Sequence, residues 1–216
     1  NTVGVNGLFE ACARLGVGTV VYISSGSVYG DQSIYGDAWV TEETPLPWPR
    51  TLYQLFKQFN ERMAEHYNQH TSTRFVGLRL SSPHSRAKQS EVFNPLTRIG
   101  AAIADGRPSV RLPWSRAYEF CFNHVDDSAA ACVRVAQASD HRWRIYNAGG
   151  ETMTLERLGA IVRELYGLEV TFEEPGGTLP HMSRISSKRL EEEFGYRRRP
   201  AAEWIAEEFR DLPQPV

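Results

Sequence analysis

Apolar positions recur along this chain with two alternating rhythms. Val3, Leu8, Ala11, Cys12 and Leu15 fall at helical spacing ahead of Gly16. Thr19-Val20-Val21-Tyr22-Ile23 is then an unbroken apolar, β-branched run between Gly18 and a Ser/Gly cluster. That is the pattern of a strand covered on both faces of a parallel sheet. Residues 31–50 are rich in Pro, Asp, Gly and Thr and predict a loop. Leu52, Phe56, Phe59, Met63 and Tyr67 mark a long amphipathic helix, and Arg74 to Leu80 a second buried strand.

Beyond residue 82 the pattern loosens. Helices are predicted over 93–103, 126–138, 155–166, 187–194 and 201–209, with strands over 120–125, 144–147 and 170–172. The helix–strand alternation of the first part predicts a parallel α/β sheet with right-handed crossovers. No repeat, low-complexity tract or clean linker interrupts it. The later part reads as a smaller lobe interleaved with the sheet.

Composition narrows the classes. The chain has 216 residues, 41% hydrophobic and 23% charged, the balance of an ordinary globular protein. A net charge of -2 without a basic stripe argues against a nucleic-acid partner. The three cysteines, Cys12, Cys121 and Cys132, have no metal-ligand spacing, and their odd number argues against a disulfide framework. No metal site is expected. No apolar run is long enough to span a bilayer, and no signal or transit peptide opens the chain, so a reduced cytoplasmic setting is expected. The first residue, Asn, already lies in a helical pattern, which reads as a cut through a longer protein.

Candidate chemistry sits where the first strand ends. Ile23-Ser24-Ser25-Gly26-Ser27-Val28-Tyr29-Gly30 closes that strand, and Tyr53-Gln54-Leu55-Phe56-Lys57 opens the long helix. Tyr53 and Lys57 are four apart and share a helical face. An ammonium one turn from a phenol stabilises the phenolate. Moving a hydride to or from a carbon also requires moving a proton at the attached oxygen, and such a pair can do it. Ser25, at the strand's carboxyl end, is placed to donate to a substrate oxygen. Tyr-x-x-x-Lys by itself is a common surface pair; the serine-rich strand end and the spacing between them give it meaning. Arg86 and Arg184 suit an anionic group on a substrate. His124 is expected to pack and hydrogen-bond, and Asp126 and Asp127 to cap the following helix. Trp48 and Trp114 fall in Pro-rich loops.

These residues together resemble the NAD-dependent epimerase/dehydratase family, the extended short-chain dehydrogenase/reductases. Ser25, Tyr53 and Lys57 match its catalytic triad. The opening Asn1-Thr-Val-Gly-Val-Asn-Gly-Leu-Phe-Glu-Ala resembles its helix before the catalytic strand. Leu78-Arg79-Leu80-Ser81-Ser82-Pro83 resembles the strand that passes the nicotinamide and reaches substrate, and Asn123-His124-Val125-Asp126-Asp127 and Tyr146-Asn147-Ala148-Gly149-Gly150 resemble later landmarks. The resemblance implies the C-terminal portion of a Rossmann-like doubly wound sheet over 1–82, and a small α/β substrate-binding lobe with returning Rossmann elements over 83–216. It implies NAD or NADP held by Asn1, Ser24, Ser25, Tyr53, Lys57 and Ser81, and a sugar, nucleotide sugar or related hydroxylated substrate near Ser82, Arg86 and Arg184. It also implies a homodimer. The family's Gly-x-x-Gly-x-x-Gly turn does not occur in these residues and would belong to an upstream segment. The Arg that sugar-nucleotide members carry before His-Val-Asp-Asp is here Phe120. A reductase of a non-nucleotide carbonyl, or a catalytically inactive scaffold member, are the alternative readings.

Overall fold

The computed structural model describes residues 2–85, 94–177 and 180–212. Asn1, Arg86 and Phe93 lie outside them. The first strand, β1 (Thr19–Ser25), follows helix α1 (Thr2–Arg14), and helix α2 (Leu52–His70) leads into β2 (Arg74–Leu80). β1 runs parallel to β2, with Thr19 opposite Arg74 and Ser25 opposite Leu80. The outer neighbour of β2 is β6 (Ile145–Ala148), also parallel, with Leu80 opposite Ala148. The three carboxyl ends therefore finish level, along one edge of the sheet.

Side-chain alternation along the strands makes two faces. On one, Phe75 packs with Phe9 of α1 and Ala64 of α2, and Val20 and Tyr22 border them. On the other, Val76, Leu78, Tyr146 and Ala148 pack with Ala131 and Val135 of α4 (Val125–Gln137) and Leu190 of α6 (Lys188–Phe194). Helices thus cover both faces, as in doubly wound sheets.

The remaining elements build a second layer. Among them β3 (Pro83–His84) pairs parallel with β5 (Glu119–His124), which pairs antiparallel with β7 (Glu151–Thr154). β4 (Ser109–Trp114) runs parallel to β8 (Glu169–Gly177). Helices α3 (Pro95–Ala104), α5 (Leu155–Tyr166) and α7 (Ala201–Glu208) enclose a large core that includes Ile99, Leu112, Phe122, Leu158, Trp204 and Phe209. Gly150 lets the β6–β7 turn pass this layer: a Cβ there would lie 2.0 Å from the Phe122 carbonyl oxygen.

β1 carries side chains into both faces, Val20 and Tyr22 toward α1 and α2 and Val21 toward α4, although among the described residues it lies at the sheet edge and Ile23 is 44% exposed; β2 is the more deeply buried strand, from Phe75 to Arg79. Other expectations are corrected. The apolar stripe predicted for α1 points largely outward. Val3 is 88% and Leu8 57% exposed, while Phe9 meets the sheet. Periodicity identifies an apolar helix but cannot choose between two adjoining apolar stripes. On α2 likewise Leu52 and Phe59 are exposed and Asn60 and Ala64 buried. The strands β3 and β7 are too short to show an apolar rhythm; β4 lies outside the predicted strands although Val110, Leu112 and Trp114 alternate along it, and β8 is longer than predicted. Trp114 closes β4 and is buried rather than lying in a loop. The cap of α4 is His124, whose Nδ1 accepts from the Asp126 N–H. Asp127 instead receives Arg199 at 2.9 Å. His124 also lies 3.2 Å from Glu208 and packs on Trp204. All three cysteines are free thiols.

Candidate active site

The level carboxyl ends of β1 and β2 open into a cavity of about 500 Å³. Its inner wall is hydroxyl-rich: Ser24, Ser25 and Ser27 come from β1 and the turn after it, Ser81 and Ser82 from the residues after β2. Tyr53 and Gln54 supply a second wall. Tyr118, Phe120, Cys121, His181, Met182 and Ile185 reach in from the other layer. The cavity therefore lies between sheet and lobe, at the strand edge where ligands of open parallel sheets bind.

Local sequence sets the inner wall. Ser25 ends β1 in extended conformation and its Oγ accepts the Ser27 N–H at 3.2 Å, capping a 3-10 turn over Gly26–Tyr29. Gly30 ends that turn at φ 81°, a conformation that favours glycine. The start of α2 is equally defined. The Thr51 side chain accepts from the Gln54 N–H, and the Gln54 side chain accepts from the Thr51 N–H, a capping box. Tyr53 is thereby held as the second residue of the helix, half-exposed at 49%.

Lys57 lies one turn on. Its Nζ donates to the Ile23 carbonyl at 2.8 Å and sits 5.7 Å from the centroid of the Tyr53 ring. The structure thus brings Ser24, Ser25, Tyr53, Ser81 and Ser82 around one cavity; Lys57 does not line it but is bound to the carbonyl of Ile23, a lining residue. Arg184 is placed elsewhere: its guanidinium pairs with Glu119 at 2.9 Å and Asp37 at 3.0 Å. Arg86 and Asn1 lie outside the described residues.

A buried polar network backs the serine wall. Ser24 Oγ donates to Glu61 Oε1 at 2.5 Å. Arg79 meets both Glu61 oxygens, at 2.9 and 2.7 Å, and its Nη1 donates to the Tyr29 hydroxyl at 2.6 Å. That hydroxyl is 2.8 Å from Asn147 Oδ1. Burial pushes the Tyr29 phenol up to about 12 although Arg79 pulls the other way, so it stays protonated. Removing either member of the Glu61–Arg79 pair would strand a buried charge, at a cost of about 3–5 kcal/mol. Sequence reasoning did not find this network, although one signal was present: Tyr53, Lys57 and Glu61 repeat every four residues along one helical face.

Cys121 also borders the cavity. Burial raises its thiol, outweighing the Gly150 N–H that lies 3.0 Å from Sγ. It remains a thiol near neutrality, not a nucleophilic thiolate. Among the described residues no group of three His, Cys, Asp or Glu could hold a metal ion, and no helix is long and apolar enough to cross a membrane.

Fold and cavity together define a Rossmann-like α/β protein with its ligand cleft at the sheet's carboxyl edge. The chain belongs to the NAD dependent epimerase/dehydratase family, which it matches over residues 1–149, and is by that membership an NAD-dependent enzyme. Solved structures agree on the fold. MoeE5 in complex with UDP-glucuronic acid and NAD is 24% identical, with 97% of this chain covering 70% of that one at a TM-score of 0.78. UDP-glucose 4-epimerase of Thermotoga maritima is 19% identical, with 96% of this chain covering 67% of that one at 0.78. The GalE-like L-threonine dehydrogenase of Cupriavidus necator, in its apo form, is 17% identical, with 97% covering 78% at 0.79. No curated protein matches the chain.

Proposed function

We propose that this chain carries the proton-transfer end of an NAD(P)-dependent epimerase/dehydratase-type reaction on a sugar, nucleotide sugar or related hydroxylated compound. The observation that carries the reading is the single cavity shared by Ser25, Tyr53, Ser81 and Ser82, with the Lys57 ammonium bound to the carbonyl of Ile23, which also lines it. A hydroxyl-lined cleft of about 500 Å³ at the sheet edge suits a nicotinamide riboside and a hexose-sized partner. Ser81, Tyr53 and Lys57 are the described side chains that would hold the nicotinamide end, with Ser24 beside them in the lining and its hydroxyl taken by Glu61. Bound NAD or NADP supplies a hydride acceptor or donor.

The chain's own groups supply the rest. Ser25 donates its hydroxyl hydrogen to the substrate oxygen and orients it. Tyr53 takes the proton from that oxygen, or returns it in the reverse direction. Lys57, held on the Ile23 carbonyl, keeps positive charge one turn from the phenol. The lobe side chains Tyr118, Phe120 and Met182 exclude water from the far wall.

Replacing Tyr53 by Phe tests the assignment. Turnover of UDP-glucose or UDP-glucuronic acid with NAD should fall about 10²–10⁴-fold, while NAD binding followed by fluorescence stays within about twofold. Undiminished turnover would remove Tyr53 from the chemistry. A second reading has its own support, because Arg184 is committed to Glu119 and Asp37 and the lobe wall is largely apolar. On that reading the substrate is a non-nucleotide carbonyl compound. Turnover of simple aldehydes or keto acids with NADH or NADPH, together with inertness toward the UDP-sugars, would favour it. Absence of nicotinamide binding would favour an inactive scaffold member.

A further inference from the structure

Three consecutive residues at the end of β1 relate to positions 53, 57 and 61 of α2 in three different ways. The Ile23 carbonyl receives Lys57, the Ser24 hydroxyl binds Glu61, and Ser25 lines the cavity that Tyr53 also lines. Strand alternation explains the division. Val20, Tyr22 and Ser24 project toward α2, and on the neighbouring strand Phe75 and Arg79 do the same. Glu61 is therefore held by two strands at once, by Ser24 of β1 and by Arg79 of β2. Its side chain is 10% exposed and that of Arg79 is 6%. An ion pair so enclosed, with a hydroxyl and a phenol satisfying its remaining atoms, has little freedom to shift.

We propose that Ser24, Glu61 and Arg79 are positioning residues that set the height and rotation of α2 against the tip of β1, and so place Lys57 and Tyr53 relative to Ser25. The proposal rests on the assignment of Tyr53 and Lys57 as the proton-transfer pair for its functional meaning. Its structural content is independent of that assignment. The Lys57–Ile23 hydrogen bond is one attachment of helix to strand tip, and the Ser24–Glu61 bond is the next one along the same face. Arg79 prevents Glu61 from swinging away when either attachment loosens.

Competitive acetylation of the full chain reads the placement of Lys57 without cofactor or substrate. The chain has lysines at 57, 88 and 188, and Lys188, 76% exposed in its side chain, serves as internal reference. A lysine held on a carbonyl reacts more slowly than one free in water. In Ser24→Ala the labelling of Lys57 relative to Lys188 should rise about threefold or more, and in Glu61→Gln further still. Ser24→Thr, which keeps the hydroxyl, should return the ratio toward wild type. An unchanged ratio in Ser24→Ala would overturn the proposal, and so would a rise that Ser24→Thr does not reverse. Glu61→Gln leaves Arg79 partly uncompensated; if it does not fold, the Ser24 pair still decides. Turnover in Tyr53→Phe is read separately. A failure there removes the assigned chemistry and leaves the labelling result standing.

Discussion

The two sides of the cavity are built on different principles. The lobe side stands on a core of twenty-one buried residues running from Leu96 to Phe209, closed all round by α3, α5, α7 and two small sheets. The flank that carries Tyr53 and Lys57 stands on three: Phe9, Ala64 and Phe75. Its neighbours Val5, Cys12, Val20 and Tyr22 are only partly buried, and Leu8, Leu55 and Phe59 face outward. Apolar burial holds the lobe. On the Tyr53/Lys57 flank, polar pairs also join the helix to the sheet: Glu61–Arg79, Ser24–Glu61 and Lys57–Ile23. Hydrogen bonds and ion pairs are directional, so they specify the geometry of this flank.

The contrast can be broken most strongly in the lobe. Trp204→Ala removes a side chain that is 1% exposed and should destabilise the protein by about 3–5 kcal/mol in urea unfolding. On the flank, Phe9→Ala also removes a fully buried ring, but half-open neighbours can close over the space. Its cost should fall toward the lower end, about 3 kcal/mol or less. Equal costs in both positions would show that the flank is as rigidly packed as the lobe.

The seam between lobe and sheet responds to pH. Burial pushes Glu119 upward, but hydrogen bonds from Arg184 and Ser183, together with the Arg184 charge, outweigh it and hold the carboxyl below its usual value. A carboxyl depressed in the folded state stabilises the fold above its unfolded pKa and loses that contribution as pH falls through the folded one. Glu119→Gln should therefore cost less than about 1 kcal/mol at neutral pH, the gap closing as the pH drops below about 4. A gap that widens in acid would reverse the sign of this coupling. The smallest effect belongs to the outward stripe. Leu8→Gln should change the stability of the isolated chain by less than about 0.5 kcal/mol. A larger loss would mean that this stripe is packed.

Much of the flank that carries Tyr53 and Lys57 was legible from residue order alone. An apolar β-branched run ending in serines is a strand whose last hydroxyls lie at a sheet edge. Tyr53 and Lys57 share a face because a helix turns every 3.6 residues, and the Thr51/Gln54 box starts that helix in the right place. These are local consequences of backbone geometry, and they needed no partner. What the partner decides is invisible to periodicity. Which of two apolar stripes on α1 meets the sheet, how deeply β1 and β2 are each buried, and that Arg184 faces Glu119 while Phe120 and Met182 face the cavity all depend on contacts between residues far apart in the chain. Glu61 shows the boundary most clearly. Its spacing from Lys57 was in the sequence, but its function as the meeting point of Ser24 and Arg79 arises only where two strands and a helix converge, because a buried charge gains meaning from what surrounds it.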